Sequence, residues 1–408
     1  MSKLIVTKWN GQILTALMTE GKCRSFHLEP EEEQSLLGTI FIGKVKNVVK
    51  NINAAFVDLG GGRTGYYSLA ENPKHIIPKR AANSENSVFS GEKLKQGDEI
   101  VVQVSRDAVK TKDPVLTSNL NFTGKYLVLT LGKTQLGFSA KLKNSQWKEE
   151  TKRWLETVKE DSYGLIVRTN AEGVSREVLS EELELLLNRK ARMLEKAPCR
   201  TCYSVLEAAY PSYIQGLRDT YSGALEAILT DIPEYYGQMR SYLEAEQPED
   251  IGKLQLYEDP TLPLLKLYSL EAAMESALSR RVWLKSGGYL VIEPTEALTV
   301  IDVNTGKYAG KKNMEEAVLK INLEAAVETA RQLCLRNLSG IIIVDFIDMA
   351  PEEHKKLLLD TLEAELKKDP VKTVLVEMTK LGLVEITRKK VRKPLHEMVQ
   401  NKGEGTRT

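Results

Sequence analysis

Two apolar segments that each end at an aspartate restrict the possible folds of this chain more than any other feature does. Residues 298–303 read LTVIDV and residues 340–346 read GIIIVDF, so the aspartates are Asp302 and Asp345. A helical pattern over 313–337 separates the segments, and only a short link joins it to the second one. Four consecutive apolar residues before Asp345 are typical of a strand that is buried on both faces. We therefore expect two strands of one sheet, with the helix packed on that sheet and an aspartate at the end of each strand.

An amide accompanies the first of these carboxylates. Asn304 stands two residues after Asp302, and side chains two apart on a strand point to the same face. Two nearby like charges are costly unless a cation neutralises them. Magnesium takes oxygen ligands and often binds only one or two carboxylates besides water and substrate phosphates. The pattern predicts a magnesium site at Asp302 and Asp345, with Asn304 holding a water or orienting a carboxylate.

The alternative is a purely structural role for these aspartates. An aspartate at the end of a strand more often forms a turn or caps a helix. Asp348 has the same two interpretations, as a further ligand or as the cap of a helix predicted from residue 351.

Composition restricts the class of protein. The chain has 408 residues, enough for about two to four domains. Its net charge is +1, from 57 basic and 56 acidic residues, so nucleic-acid binding would depend on local basic clusters such as 43–50 and 388–393. No run reaches the roughly 18 apolar residues of a membrane helix, and the first residues lack the features of a signal peptide. We expect a globular, cytoplasmic protein that does not enter a membrane.

The four cysteines are too few and too irregularly spaced for a disulfide framework. Cys199 and Cys202 form a CxxC pair in a segment, 172–250, that reads mainly as helix. One such pair supplies at most half of a tetrahedral zinc site.

Short alternating segments with frequent glycines begin at Gly38 and predict a small β-barrel. Phe56 and Tyr66 fall on neighbouring strands of it, where exposed rings stack unpaired bases of any sequence. Arg106 and Lys112 lie near the closing end of the barrel, in reach of phosphates. The alternative for Phe56 is an ordinary position in the barrel core.

A second phosphate site is predicted in GLIVRTNAEG, residues 164–173. Arg168 and Thr169 follow an apolar strand and precede a turn that contains glycine. A guanidinium fork, a hydroxyl and turn amides together suit a terminal phosphate. The alternative is that Arg168 forms a surface ion pair, which is the commoner role of an arginine at a strand end.

Taken together, these segments resemble the ribonuclease E/G family of bacterial and plastid endoribonucleases, and in particular its short ribonuclease G type. The resemblance extends from about residue 3 to about residue 395. The segments that carry it are AAFVDLGGGRTGYYSL, GLIVRTNAEG, SGGYLVIEPTEALTVIDVNTGKY, INLEAAVETARQLCLRNLSGIIIVDFIDM and MTKLGLVEITRKKVRKPL.

The resemblance implies an α+β multidomain fold in which a β-barrel is inserted into another domain. The implied parts are an RNase H-like domain (1–36 and 210–275), an OB-fold RNA-binding domain (37–118), a 5′-sensor region (119–209) and a DNase I-like catalytic domain (276–395). The last residues, 396–408, show no periodicity, and we expect them to form a flexible tail.

It also implies a function: magnesium-dependent cleavage of single-stranded, A/U-rich RNA with a preference for a 5′-monophosphate, in rRNA processing and mRNA decay. The residues that match the family's functional positions are Asp302 and Asp345 for magnesium, Asn304 for their support, Arg168 and Thr169 for the 5′-phosphate, and Phe56, Tyr66 and Lys112 for RNA.

Family members often carry a Cys-Pro-x-Cys zinc link that joins two subunits. Because no cysteine follows Cys334, we do not expect a zinc-linked dimer, and another kind of homo-oligomer stays open. The rival to a nuclease is an RNA-binding or assembly protein that keeps the fold without turnover. The presence of both aspartates together with Asn304 favours the nuclease.

Overall fold

A computed structural model describes residues 2–31, 35–78, 89–108, 113–220, 225–306 and 314–400. Among the described residues, thirteen strands precede the first α-helix, and helices and strands are mixed after it, so the protein is a mixed α+β fold, as expected. The strands are β1 (Ser2–Trp9), β2 (Gln12–Thr19), β3 (Lys22–Pro30), β4 (Ile40–Val49), β5 (Ala54–Gly60), β6 (Arg63–Ser68), β7 (His75–Ile76), β8 (Phe89–Ser90), β9 (Glu99–Arg106), β10 (Val115–Thr117), β11 (Asn121–Thr123), β12 (Leu127–Thr130), β13 (Leu136–Phe138), β14 (Gly164–Val167), β15 (Val205–Glu207), β16 (Leu225–Thr230), β17 (Leu254–Leu256), β18 (Arg281–Trp283), β19 (Tyr289–Pro294), β20 (Leu298–Asn304), β21 (Gly340–Asp345), β22 (Thr373–Met378) and β23 (Leu383–Arg388).

The α-helices are α1 (Ser145–Val158), α2 (Arg176–Lys196), α3 (Ser212–Asp219), α4 (Pro233–Glu246), α5 (Leu264–Leu267), α6 (Leu270–Leu278), α7 (Met314–Leu335), α8 (Glu352–Leu366) and α9 (Leu395–Gln400). None of the helices in the described ranges is long and apolar enough to cross a membrane.

The chain divides into two compact units that are each assembled from separate segments. The first unit comprises Met1–Glu32, Ala224–Gly237 and Lys253–Thr408, and the second comprises Glu33–Gly223 and Gln238–Gly252. The finer domain boundaries implied by the resemblance, including the RNase H-like and DNase I-like assignments, stay predictions.

Five strands of the second unit close into a barrel in the order β4-β5-β6-β10-β9, because β9 also pairs with β4. Alternate side chains point inward, and Val57, Tyr67, Val102 and Leu116 are fully buried there. β15 continues the sheet from β4, and β7 with β8 continues it from β9. The barrel is OB-like, in agreement with the prediction from its glycine-punctuated strands.

A second sheet of the same unit has the order β11-β12-β14-β13. Helices α1 and α2 bury Leu155, Leu179 and Leu186 in one apolar cluster with this sheet. The side chain of Asn144 caps α1 by accepting a hydrogen bond from the backbone N–H of Trp147 at 3.0 Å. β14 ends immediately before Arg168, which places that residue at the carboxyl end of an interior strand.

The first sheet of the first unit has the order β17-β16-β1-β2-β3. β1 and β2 form a hairpin whose turn residues Asn10 and Gly11 have φ values of 49° and 71°, as expected for this dipeptide. β16 pairs in parallel with β1. The mainly helical interpretation of 172–250 therefore missed two strands, β15 and β16. Their short apolar runs fit either structure, and pairing with distant strands makes them extended.

The second sheet of the first unit has the order β18-β19-β20-β21-β23-β22, and α7 connects its parallel pair β20 and β21. Helices α7 and α8 pack on one face, where Ile301, Ile342 and Val344 are fully buried. The other face is open, and Ile341 is 50% exposed on it. The prediction that this strand is buried on both faces is therefore wrong, because only one helical layer covers the sheet.

Two local expectations about helix ends have different outcomes. The segment after 395 was expected to fray, but α9 forms there and buries Leu395 and Met398 against the first sheet. That part of the prediction is wrong, because two apolar side chains give the last helix an anchor. Asn313, the first residue of the helix predicted over 313–337, lies outside the described residues.

Candidate functional site

Two carboxylates lie side by side on the open face of the second sheet. Asp302 and Asp345 are direct partners in the parallel ladder of β20 and β21. Adjacent strands are about 4.8 Å apart, and side chains paired in register point to the same face. Both side chains are exposed, whereas Ile301 and Val344, their chain neighbours, are buried beneath the helices. The register thus brings together two residues that are far apart in the sequence.

The amide of Asn304 orients the first carboxylate. Its Nδ2 donates a hydrogen bond to Oδ2 of Asp302 at 2.7 Å. The backbone there passes close to Gly288, where a Cβ atom would lie 2.8 Å from the carbonyl oxygen of Asn304. Glycine at that position lets β19 begin directly beside the end of β20.

The electrostatics of this face are unfavourable without a cation. Partial burial, followed by the negative charges of Asp302 and Asp348, raises the pKa of Asp345 above its ordinary value. The charges of Asp302 and Asp348 thus each disfavour the ionised form of Asp345. Asp348 does not cap the following helix, because α8 begins after Pro351 without a side-chain cap; that interpretation of Asp348 is wrong.

This face offers few side chains that could bind a metal ion. Within the described ranges, no group of three or more His, Cys, Asp or Glu side chains could hold a metal ion. Two carboxylates with open space around them suit magnesium, which keeps waters and binds substrate phosphates. Elsewhere, Cys199 is exposed and Cys202 is half-buried.

A buried amide that was not among the predicted site residues fixes the end of β21. Asn322 of α7 is fully buried. Its Nδ2 donates to the carbonyl of Ile347 at 2.7 Å, and its Oδ1 accepts from the backbone N–H of Ile347 at 3.1 Å. Ile347 lies two residues beyond Asp345, so the helix sets the point where that carboxylate leaves the sheet. A polar residue within the apolar stripe of a helix was the signal.

Three of the four predicted RNA-contacting residues of the barrel, Phe56, Tyr66 and Arg106, lie in one row on its outer surface. Phe56 pairs with Tyr66, Tyr66 with Val115, and Val115 with Arg106 across four strands. The two ring centroids are 6.1 Å apart at an interplanar angle of 76°. Both rings are half-buried and Arg106 is exposed, so Phe56 is not a core residue. Lys112 lies outside the described residues.

Arg168 does not stand free at the end of β14. Its Nη1 donates to the carbonyl of Gly124 at 2.5 Å, and its Nη2 donates to Oδ1 of Asp219 at 2.7 Å. Partial burial raises the pKa of Asp219, but the charges of Arg218 and Arg168 outweigh that effect and lower the pKa below its ordinary value. The role of Asp219 did not follow from the sequence, because 51 residues separate it from Arg168.

The neighbouring hydroxyl and loop are also ordered by hydrogen bonds. Thr169 Oγ1 lies 2.8 Å from the hydroxyl of Ser139. Glu182 accepts hydrogen bonds from the backbone N–H groups of Lys125, Tyr126 and Leu127 at 2.6 to 2.9 Å. These contacts hold the loop whose carbonyl groups receive Arg168, so the guanidinium has a fixed position.

Known proteins share much of the sequence of this chain. A family model described as "Ribonuclease E/G family" matches residues 121–391. Ribonuclease G of Haemophilus influenzae is 35% identical over 390 residues, which cover 94% of this chain and 78% of that protein. Ribonuclease G of Escherichia coli K12 is 33% identical over 406 residues, 98% of this chain and 82% of that protein. Ribonuclease E of Nostoc sp. PCC 7120 is 32% identical over 403 residues, 98% of this chain and 57% of that protein.

Proposed function

The chain belongs to the ribonuclease E/G family and is an endoribonuclease, and we propose that it cleaves single-stranded, A/U-rich RNA with a magnesium ion held by Asp302 and Asp345. The observation that carries this proposal is the register that pairs the two aspartates on an open sheet face. By resemblance to its family, we assign the activity to rRNA processing and mRNA decay.

Each residue of the site has a separate task. Asp302 and Asp345 hold the ion, and Asn304 fixes an oxygen of Asp302 through its 2.7 Å hydrogen bond. Asn322 positions Asp345 by holding the loop that follows it. When bound, the ion neutralises charge on the scissile phosphate and lowers the pKa of an adjacent water. Attack by water leaves a 3′-hydroxyl and a 5′-phosphate.

The barrel row offers a sequence-tolerant surface for unpaired RNA. Phe56 and Tyr66 present ring faces and edges for stacking, which stabilises a bound base by about 1–3 kcal/mol. Arg106 lies in the same row and supplies a positive charge for the backbone. Lys112 is assigned to the same surface by resemblance alone.

The preference for a 5′-monophosphate rests on Arg168 and Thr169. Asp219 occupies one side of the Arg168 guanidinium, as a phosphate would. A terminal phosphate would replace this carboxylate or share the guanidinium with it, since Arg168 is partly exposed. Asp219 therefore opposes the binding of the anion that Arg168 attracts.

Variants of Arg168 and Asp219 are expected to change the preference for a 5′-monophosphate in opposite directions. Arg168→Ala should narrow the ratio of cleavage rates on 5′-monophosphate and 5′-hydroxyl RNA by about 10- to 150-fold, because a charge-assisted hydrogen bond is worth about 1.5–3 kcal/mol. Asp219→Asn should widen the ratio, since it removes a repulsive charge. Initial rates on the two substrates measure this ratio. An unchanged ratio in Arg168→Ala would remove the residue from 5′-end recognition.

The test of the overall function separates the nuclease from a non-catalytic RNA-binding protein. The full chain is incubated with a 5′-labelled A/U-rich oligonucleotide, with magnesium or with a chelator. Cleavage that requires magnesium supports the proposal. Tight RNA binding without cleavage under either condition would support the rival function.

A further inference from the structure

An aromatic row lies beside the carboxylate pair on the same open face. Trp283 of β18 pairs with Tyr289 of β19, and Tyr289 pairs with Asn304 of β20. Val282, between these rows, points to the helical side and is buried. The row therefore leads from the edge of the sheet directly to the amide that orients Asp302.

A second row of side chains crosses the same three strands, two residues away from the aromatic row, and carries a positive charge. Arg281 pairs with Val291, and Val291 pairs with Asp302. Arg281 thus lies two strands from the carboxylate, or about 10 Å at the usual strand spacing. A depression of about 450 Å³ is lined by Ser279, Arg280, Arg281 and Val291, so open space adjoins the row that ends at Asp302.

The three outer side chains of these rows form one cluster. The rings of Trp283 and Tyr289 have centroids 5.2 Å apart at an angle of 58°. The Arg281 guanidinium lies 4.5 Å from the Tyr289 centroid and 5.7 Å from the Trp283 centroid. Trp283 is nevertheless 64% exposed. An exposed tryptophan of this kind, with a cation against it, offers a face to a further ring.

The charge of Arg281 is not neutralised within the described part of the chain. No carboxylate there lies within ion-pair distance of its guanidinium, whereas the neighbouring Arg280 pairs with Glu293. A polyanion that reaches Asp302 across this face would therefore meet an unpaired positive charge first.

The hairpin that carries the cluster is held rigidly. Leu284 and Gly288 close its turn with a backbone hydrogen bond of 2.8 Å. The carboxylate of Glu324 on α7 accepts hydrogen bonds from the backbone N–H groups of Lys285 and Ser286 at 2.6 and 2.9 Å. A platform fixed in this way loses little conformational freedom when a ligand binds.

On the basis of the proposed function, we propose that Trp283 and Tyr289 stack an unpaired base of the substrate next to the scissile phosphate, while Arg281 contacts the RNA backbone. The cluster thus positions the strand for the carboxylate pair. RNA fits better than an apolar protein partner, because the patch combines one exposed ring, an unpaired cation and continuity with Asn304 and Asp302. Stacking on a protein ring changes affinity by about 5- to 150-fold per base.

A series of oligonucleotides tests this assignment. Each carries one abasic nucleotide, placed at successive positions around a single cleavage site. For the wild type, one position near that site should lower kcat/KM by about 5- to 150-fold. Trp283→Ala should lower kcat/KM on the intact substrate by a similar factor and lose its sensitivity to that position. Trp283→Phe should retain most of both properties, and Val376→Ala, an exposed site on the opposite edge strand, should match the wild type.

Equilibrium binding of the same series to Asp302→Asn protein, with and without Trp283→Ala, tests stacking independently of cleavage. Loss of the positional effect on affinity in the double variant supports the assignment. The assignment is overturned if Trp283→Ala retains the wild-type sensitivity to every abasic position. It is also overturned if that variant changes only the sedimentation of the protein, which would make the patch a contact between copies. Absence of magnesium-dependent cleavage by the wild type would instead contradict the proposed function.

Discussion

Asp302→Asn is expected to lower the single-turnover rate of RNA cleavage by about a thousandfold while leaving RNA affinity nearly unchanged. A bound divalent ion contributes several kcal/mol of charge stabilisation, and each 1.36 kcal/mol is a factor of ten in rate. The substitution keeps the shape of the side chain but removes one of the two charges on which the proposed ion binding depends. A 5′-labelled A/U-rich oligonucleotide measures the rate, and fluorescence anisotropy measures the affinity.

Glu385→Gln provides the matched control for this experiment. Glu385 lies on the same sheet face, on β23, where it pairs with Ile343 rather than with either aspartate. The variant makes the same chemical change and is expected to cleave at nearly the wild-type rate. Equal rates for Asp302→Asn and the wild type would exclude the carboxylate pair from catalysis.

Arg388→Met is expected to reduce the free energy of unfolding by about 3–5 kcal/mol, because it leaves a buried carboxylate without its partner. Arg388 Nε donates to Oδ2 of Asp369 at 2.7 Å, and Nη1 donates to Oδ1 of Asn337 at 2.8 Å. The side chains of Arg388 and Asp369 are only 3% and 2% exposed. Urea unfolding of the full chain measures the change.

The loss of stability in Arg388→Met should depend on pH, because the carboxyl group of Asp369 is titratable. Burial raises the pKa of Asp369, but the hydrogen bond and charge of Arg388 outweigh it, so the pKa lies below its ordinary value. In the wild type, this pair contributes stability above the ordinary pKa of about 3.9, and the contribution is lost as the pH falls. Without Arg388, burial dominates, so the loss of stability should be largest at neutral pH and smaller in acid.

Two further variants separate the buried pair from charge effects in general. Arg388→Met combined with Asp369→Leu should recover much of the lost stability, since no uncompensated charge then remains. Lys367→Met breaks the exposed pair with Glu363 and should cost about 1 kcal/mol or less. A loss below about 1 kcal/mol in Arg388→Met itself would contradict the assigned role of the pair.

Local patterns in the sequence were sufficient to predict the strands and the helix around the two aspartates. The apolar runs that stop at Asp302 and Asp345 mark β20 and β21, and the helical period between them marks α7. Which side of the sheet is covered did not follow from the same pattern. An isoleucine-rich run fits a strand buried on both faces, but Ile341 is half exposed because the helices cover one face only.

The contacts that the sequence did not predict are mainly those between residues of distant segments. Asp219 reaches Arg168 from another element, and Asn322 reaches the end of β21 from a helix. No short motif records such contacts, because they depend on how the elements pack. The Trp283–Tyr289 cluster has the same origin: its residues are unremarkable in sequence until pairing of β18 with β19 aligns them.

Titration of the protein with magnesium in a calorimeter, using the wild type, Asp302→Asn and Asp345→Asn, tests most directly whether the two carboxylates share one ion. We expect one ion per chain in the wild type and no measurable binding at that site in either single variant, because each carboxylate alone is too weak a ligand. Unchanged stoichiometry and affinity in both variants would place the ion elsewhere and contradict the assignment of this sheet face as the catalytic centre.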